Sequence, residues 1–125
     1  RLEEAVARAG RGWDYLPARG RSAFAAELHV RYLRELHAGD PVRVTCQLLD
    51  FDPKRLHIFQ QLFHAAEGWV SATAESLSLH VDMSAKKVAP FPVDVMKRLA
   101  AQKKSHGRLP RPEAAGKRIA MPEQA

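Results

Sequence analysis

The sequence predicts an α+β domain: a helix packed on one face of an antiparallel meander of four strands. Three observations carry this. The stretch Trp69–Asp82, WVSATAESLSLHVD, runs fourteen residues without Gly or Pro and alternates throughout. Two shorter alternating runs and a third apolar run precede it, each bounded by turn residues. Ahead of these, Leu2, Ala5, Val6 and Ala9 recur at helical spacing, with Gly10 as a C-terminal stop.

The long stretch organises the rest. One side carries Trp69, Ser71, Thr73, Glu75, Leu77, Leu79 and Val81; the other carries Val70, Ala72, Ala74, Ser76, Ser78 and His80. The second side is almost all small, so another element can approach it closely. Read as a helix, the same residues form no apolar stripe. A central strand is expected here, with Lys86, Lys87 and Pro90-Phe91-Pro92 ending the sheet.

In chain order, Arg1–Ala9 reads as a helix cut at its front, and the expectation is that the natural protein begins earlier. Gly10–Arg21 reads as a loop anchored by Trp13 and Tyr15. Phe24–Leu36 sets Leu28, Val30 and Tyr32 against Glu27, His29 and Arg31, a strand with one wet face. His37–Pro41 is a turn. Val42–Leu49 is a strand with Val42, Val44, Cys46 and Leu48 on one side, and Asp50–Lys54, with its proline, is a turn. Arg55–Ala66 is a third strand, and Ala65–Gly68 turns into the long one. After Pro92, the apolar Val95, Met96 and Leu99 predict a short helix to about Gln102. The domain boundary is set there: 1–102 forms the domain, and 103–125 is a basic tail rich in Pro, Gly and Ala that either wraps a surface or is disordered.

The chain of 125 residues carries a formal net charge of +6, with much of the basic excess after Lys86. Such a balance favours anionic partners (nucleic acid, a membrane surface or a phosphorylated small molecule) without choosing among them. Nucleic acid is disfavoured because the strands carry no aromatic stripe. No apolar run reaches the roughly 20 residues of a membrane span. The single cysteine, Cys46, excludes an internal disulfide framework and fits a reducing, cytoplasmic compartment. It reads as a small core residue.

Among the six histidines, His29, His57, His64 and His80 fall on expected strands, and no pair has metal-motif spacing, so no metal is expected. His80, on the small face, is the one singled out. Glu27 and Glu75 lie inside strands, where acids are depleted. Each is expected on a solvent face, in a cross-strand pair with Arg31, Arg43 or Arg55, or in a site. Asp82 reads as a turn residue. There is no GxSxG, GxGxxG or P-loop, so a serine triad and a nucleotide-binding fold are excluded, and no cofactor is expected.

Several segments together resemble a family. They are Glu27-Leu-His-Val-Arg-Tyr-Leu-Arg-Glu-Leu36, Gly39-Asp40-Pro41-Val42-Arg43-Val44, Lys54–Phe59, Gly68–Glu75 and Leu79–Asp82 with Pro90-Phe91-Pro92. Their order and spacing resemble the hot-dog-fold acyl-CoA thioesterases, in the 4-hydroxybenzoyl-CoA thioesterase-like branch. Within it they are most similar to betainyl-CoA thioesterases and to the thioesterase-like domain fused to carnitine dehydrogenases. The resemblance implies a curved antiparallel sheet around a long helix lying on the small face, sheet-to-sheet homodimers or homotetramers, and hydrolysis of an acyl-CoA thioester. It places the catalytic acid in an Asp/Tyr-x-x-Gly-His-Met-Asn-like segment that no position here matches, so no catalytic residue is assigned. On this basis Glu27, His29, Trp13, Tyr15 and His80 are expected to contact the acyl group, a carboxylate and aromatics suiting a cation such as betainyl. Arg31, Lys86 and Lys87 are expected on the CoA phosphates. The rival readings are a non-catalytic acyl-CoA-binding or assembly domain of the same fold, and a basic partner- or nucleic-acid-binding module.

Overall fold

The computed structural model describes residues 21–122. The expected helix over Arg1–Ala9 and the anchors Trp13 and Tyr15 lie outside them. Five strands follow one another: β1 (Arg21–Tyr32), β2 (Val42–Phe51), β3 (Arg55–His64), β4 (Val70–Asp82) and the short β5 (Lys87–Val88). Among the described residues one helix, α1 (Val93–His106), closes the series.

The sheet is antiparallel, as expected, but it is not a simple meander. Its order is β1-β4-β3-β2, with β5 on β4. β2, β3 and β4 follow one another by short turns, whereas β1 lies beyond β4 and β2 forms the opposite edge. The segment between β1 and β2 therefore crosses the sheet end. It is tied there by Leu33 and Arg34 amides donating to the Ser71 carbonyl at 2.9 and 3.1 Å, and by Ser71 Oγ donating to the Arg34 carbonyl at 2.7 Å. The reason is length and surface: β1 and β4 are the two longest strands, and β4 has two sides of its backbone to satisfy.

The register sorts the side chains. Ile58 opposes Ser76, Leu56 opposes Ser78 and Leu48 opposes Ile58, so these share an inner face. Val95 and Leu99 of α1, with Phe91, pack on that face against Leu48, Leu56 and Ile58. The buried Ser76 and Ser78 offer little side-chain bulk on the neighbouring strand of that face. α1 starts after Pro92 as expected and runs four residues past its expected end at Gln102, to His106. Pro92, with φ −57°, starts it, and Asp94 in the first turn and Lys103, Lys104 and His106 in the last complement the helix dipole. His106 Nδ1 then accepts the Leu48 amide at 2.8 Å, capping part of the β2 edge.

The turns follow their residues. Asp52 accepts the Lys54 amide at 2.8 Å in the β2–β3 turn, and strand β2 reaches two residues further than expected, to Phe51, through a bulge at Leu49. His64 Nδ1 accepts the Ala66 and Glu67 amides, and Gly68 has φ +84° in the same turn. Asp82 accepts the Ser84 and Ala85 amides as the expected turn residue. The sheet does not end there, because Lys87 pairs back with Asp82 and Val88 with Val81. Beyond α1 the chain wraps the sheet: Gln47 Nε2 donates to the Pro110 carbonyl at 3.5 Å, and the Gly116 amide reaches β4. Among the described residues no helix is long and apolar enough to cross a membrane.

Candidate functional site

Two surfaces of the sheet hold candidate sites, one on each face. The outer face has a polar cluster built row by row from adjacent strands. Glu27 of β1 opposes Leu77, which opposes His57 of β3, which opposes Asp50 of β2. In the next row His29 opposes Glu75, which opposes Phe59. His57 and Glu75 are thus diagonal neighbours, a separation long side chains bridge. His57 Nε2 and Glu75 Oε2 lie 2.6 Å apart, with side-chain exposures of 28% and 15%. The Gly116 amide donates to both Glu75 carboxylate oxygens, at 2.8 and 3.1 Å. Gly116 has φ +79°, a conformation that L side chains rarely adopt.

These contacts decide what Glu75 can do. Burial pushes its carboxyl pKa up, but the Gly116 amide, His57 and the nearby Arg111 outweigh burial and hold it below its ordinary value. An ionised carboxylate whose oxygens already accept three contacts makes a poor base or nucleophile. Glu75 is a clamp. The expected arginine partners are elsewhere: Arg55 pairs with Asp52 at 2.6 Å, and the Arg43 guanidinium lies 4.5 Å from the Phe63 ring centre. Asp50 and Asp52 are also held below their ordinary pKa values. A hydrogen bond from Lys103 and the Phe51 amide lower Asp50; for Asp52, burial is outweighed by Arg55 and the Lys54 amide. A cleft of about 550 Å³ runs between this cluster and the C-terminal strap, residues 107–122, bordered by Glu27, His29, His57, Lys117 and Arg118.

The inner face is different. α1 covers its Leu56–Ser78 half. The other half is a groove of about 410 Å³ lined by Val30, Val44, Leu62, Ala72 and Ala74 together with the polar Gln60, Gln61 and Thr73. Tyr32 is 87% exposed and Val42 53%, so apolar surface stands open there.

The sequence candidates divide between these places. Glu27 and His29 share the outer cleft with His57 and Glu75. His80 lies on the opposite face, 1% exposed; its Nδ1–H donates to the Ala89 carbonyl at 2.8 Å and its ring stacks on Phe91 at 4.5 Å. These three do not meet in one pocket within a chain. Arg31 opposes Thr73 and Lys87 opposes Asp82, so nine residues of β4, roughly 30 Å, separate them. Lys86, with φ 54°, and Lys87 sit together in the exposed β4–β5 hairpin. Sequence reasoning missed the His57–Glu75 pairing, which spans two strands with no local motif.

Comparison with known proteins places this geometry in context. Residues 2–99 match the family described as the thioesterase-like superfamily. An L-carnitine dehydrogenase/betainyl-CoA thioesterase of Rhizobium meliloti (strain 1021) is 41% identical over 100 residues, covering 80% of this chain and 20% of the relative. A betainyl-CoA thioesterase of Pseudomonas aeruginosa is 39% identical over 105 residues, covering 84% of this chain and 66% of the relative. A hypothetical protein of Staphylococcus aureus, solved in complex with CoA, superposes with a TM-score of 0.85 at 27% identity, over 97% of this chain and 76% of that one. The chain therefore spans about a fifth of the Rhizobium relative's length and about two thirds of the Pseudomonas one.

Proposed function

The chain belongs to the thioesterase-like superfamily and carries its hot-dog α+β sheet, and from that premise we propose that it hydrolyses acyl-CoA thioesters, with betainyl-CoA as the substrate. The observation that carries the reading is the outer-face cleft of about 550 Å³, which sets Glu27 and His29 beside the basic Lys117 and Arg118. An acyl-CoA with a cationic acyl head joins a positive group to an anionic CoA, and a cleft that offers both signs of charge suits it. The basic residues supply the rest: Lys86 and Lys87, paired in an exposed hairpin, are the contacts for the CoA phosphates. The active assembly is a homodimer built through the long open edge of β1.

Asp50, Asp52 and Glu75 are not offered as the catalytic carboxylate, because their own donors already occupy them and lower their basicity. Glu27 has a separate role as the contact for a cationic acyl head. It lines the outer cleft beside Leu77 and His57, where its carboxylate can meet a cationic group.

The test is steady-state hydrolysis of betainyl-, acetyl- and benzoyl-CoA by the whole natural protein, with the released thiol measured. Betainyl-CoA is expected to be the best substrate. No turnover of any member, with CoA binding retained, would leave the acyl-CoA-binding rival. Glu27→Gln is expected to lower the preference for betainyl- over acetyl-CoA about tenfold, roughly 1.4 kcal/mol. An unchanged ratio would remove Glu27 from the acyl site.

A further inference from the structure

His57 stands in the middle of the outer-face row. It opposes Leu77 on β4 and Asp50 on β2, and Leu77 in turn opposes Glu27 on β1. Its Nε2 meets Glu75 Oε2 at 2.6 Å, and Glu75 is itself fixed by the Gly116 amide at 2.8 and 3.1 Å. At neutral pH Glu75 is ionised and can only accept, so the hydrogen of this contact sits on Nε2. In the neutral ring that leaves Nδ1 as a bare acceptor. Nδ1 has no hydrogen-bond partner among the described residues, and the side chain is 28% exposed where it lines the cleft shared with Glu27. Holding the strap needs only the contact between Glu75 and Gly116; it gives the open Nδ1 no purpose. A ring oriented by a carboxylate, with its second nitrogen free at a cleft, is the arrangement of a general base.

Distance selects the substrate that such a base can serve. Glu27 and His57 lie two strand spacings apart, roughly 10 Å between backbones. In a betainyl group one methylene separates the cationic nitrogen from the reacting carbonyl carbon, a span of about 2.5 Å. A cationic head held by Glu27 therefore keeps its thioester in the same row, within reach of His57 through one water. We infer that His57 Nδ1 is the general base that takes a proton from the attacking water, with Glu75 as the residue that positions its ring. The inference rests on the thioesterase reading above and deepens it by naming the group that activates water. In the reaction, the water oxygen bonds to the carbonyl carbon, its proton passes to Nδ1, and the carbonyl π pair moves onto oxygen. The pair then returns, the C–S bond breaks, and Nδ1–H gives the proton to the CoA sulfur. The second water hydrogen stays on the acid product. The imidazolium formed on the way is met by Glu75 from β4 and faces Asp50 on β2 and Glu27 on β1. The cations nearby are Arg55, paired with Asp52 in the β2–β3 turn, Lys103 of α1, bonded to Asp50, and Lys117 and Arg118 of the strap. His29, opposite Glu75, is the other titratable group of the cleft.

The experiment uses the whole natural protein and the acyl-CoA panel. His57→Gln keeps an N–H donor for Glu75 and removes the base; His57→Ala leaves space for a free imidazole. Both are expected to lower kcat on betainyl-CoA about 10²-fold, with KM changed less than about threefold. Added imidazole is expected to raise the rate of His57→Ala about tenfold or more, an outcome that a merely structural histidine does not produce. In wild type kcat/KM is expected to rise with pH along a limb that His57→Gln lacks. Glu75→Gln is expected to lower kcat about tenfold with KM held, because the imidazolium loses its charged partner. A kcat loss with neither imidazole rescue nor a changed pH profile would overturn the proposal, since a structural role then explains it. So would a rise in KM at unchanged kcat, which would make His57 a binding contact. Unchanged kinetics in both His57 variants, with wild type active, would sink this inference alone. A wild-type protein that hydrolyses no acyl-CoA would sink it together with the functional reading.

Discussion

Replacing Glu75 by Gln tests whether the C-terminal strap is held to the sheet by a carboxylate clamp. In the native chain the carboxylate accepts the Gly116 amide at 2.8 and 3.1 Å and meets His57 Nε2 at 2.6 Å, with its side chain 15% exposed. Hydrogen bonds to a charged acceptor contribute about 1.5–3 kcal/mol each, and neutral ones about 0.5–1.5. Glutamine keeps the shape and exchanges charged for neutral contacts, so the difference is about 1 kcal/mol for each of the two partners. Discounting for residual solvent gives a loss of about 1–2 kcal/mol, or roughly 4–8 °C in Tm for a chain of this size. The pH dependence gives the assay its sign. The Glu75 pKa is lowered in the folded state from an ordinary value of 4.5, so its contribution is full above that value and is lost as pH falls through the folded one. Thermal unfolding followed by circular dichroism between pH 7 and pH 3 should show wild type losing this increment on acidification and Glu75→Gln lacking it throughout. Limited proteolysis within 107–122 should accelerate in the variant at pH 7. Equal melting temperatures at pH 7, with strap cleavage unchanged, would refute the clamp.

Two further outcomes follow from the fold. Ile58→Ala, at a position with 0% exposure in the α1–sheet core, should cost about 3–4 kcal/mol in urea unfolding with little change in the slope; a loss under 1 kcal/mol would mean that the core is misplaced. His106→Ala removes the acceptor of the Leu48 amide and should cost about 1 kcal/mol, with faster hydrogen exchange at Leu48 while the β3–β4 amides stay protected.

The sequence and the structure agree where the signal is local. Alternation in Trp69–Asp82 set the long strand to within one residue, and the Asp52-Pro53 and Asp82 turns followed from side chains that bond the next amides. The helix after Pro92 was visible from Val95 and Leu99, but its full length was not, because Lys103–His106 carry no apolar periodicity and are held by the dipole and the Leu48 cap. Glu75 stood out as an acid in mid-strand, yet its partners could not be named. His57 lies on another strand, and Gly116 lies in a tail whose composition allowed either a wrapped or a disordered segment.

By itself, then, the sequence determined the strands, their turns and the split of each strand into two faces, because these depend on periodicity and on side chains that bond neighbouring backbone. Strand order was decided only by the tertiary structure: β1 satisfies the second side of β4 instead of pairing with β2. That order depends on which long strands can exhaust each other's hydrogen bonds while burying one shared face. The same step brought His57 to Glu75 and laid the segment around Gly116 across the outer face. Burial and partnership belong to pairs of residues distant in the chain, and no one-dimensional pattern encodes them.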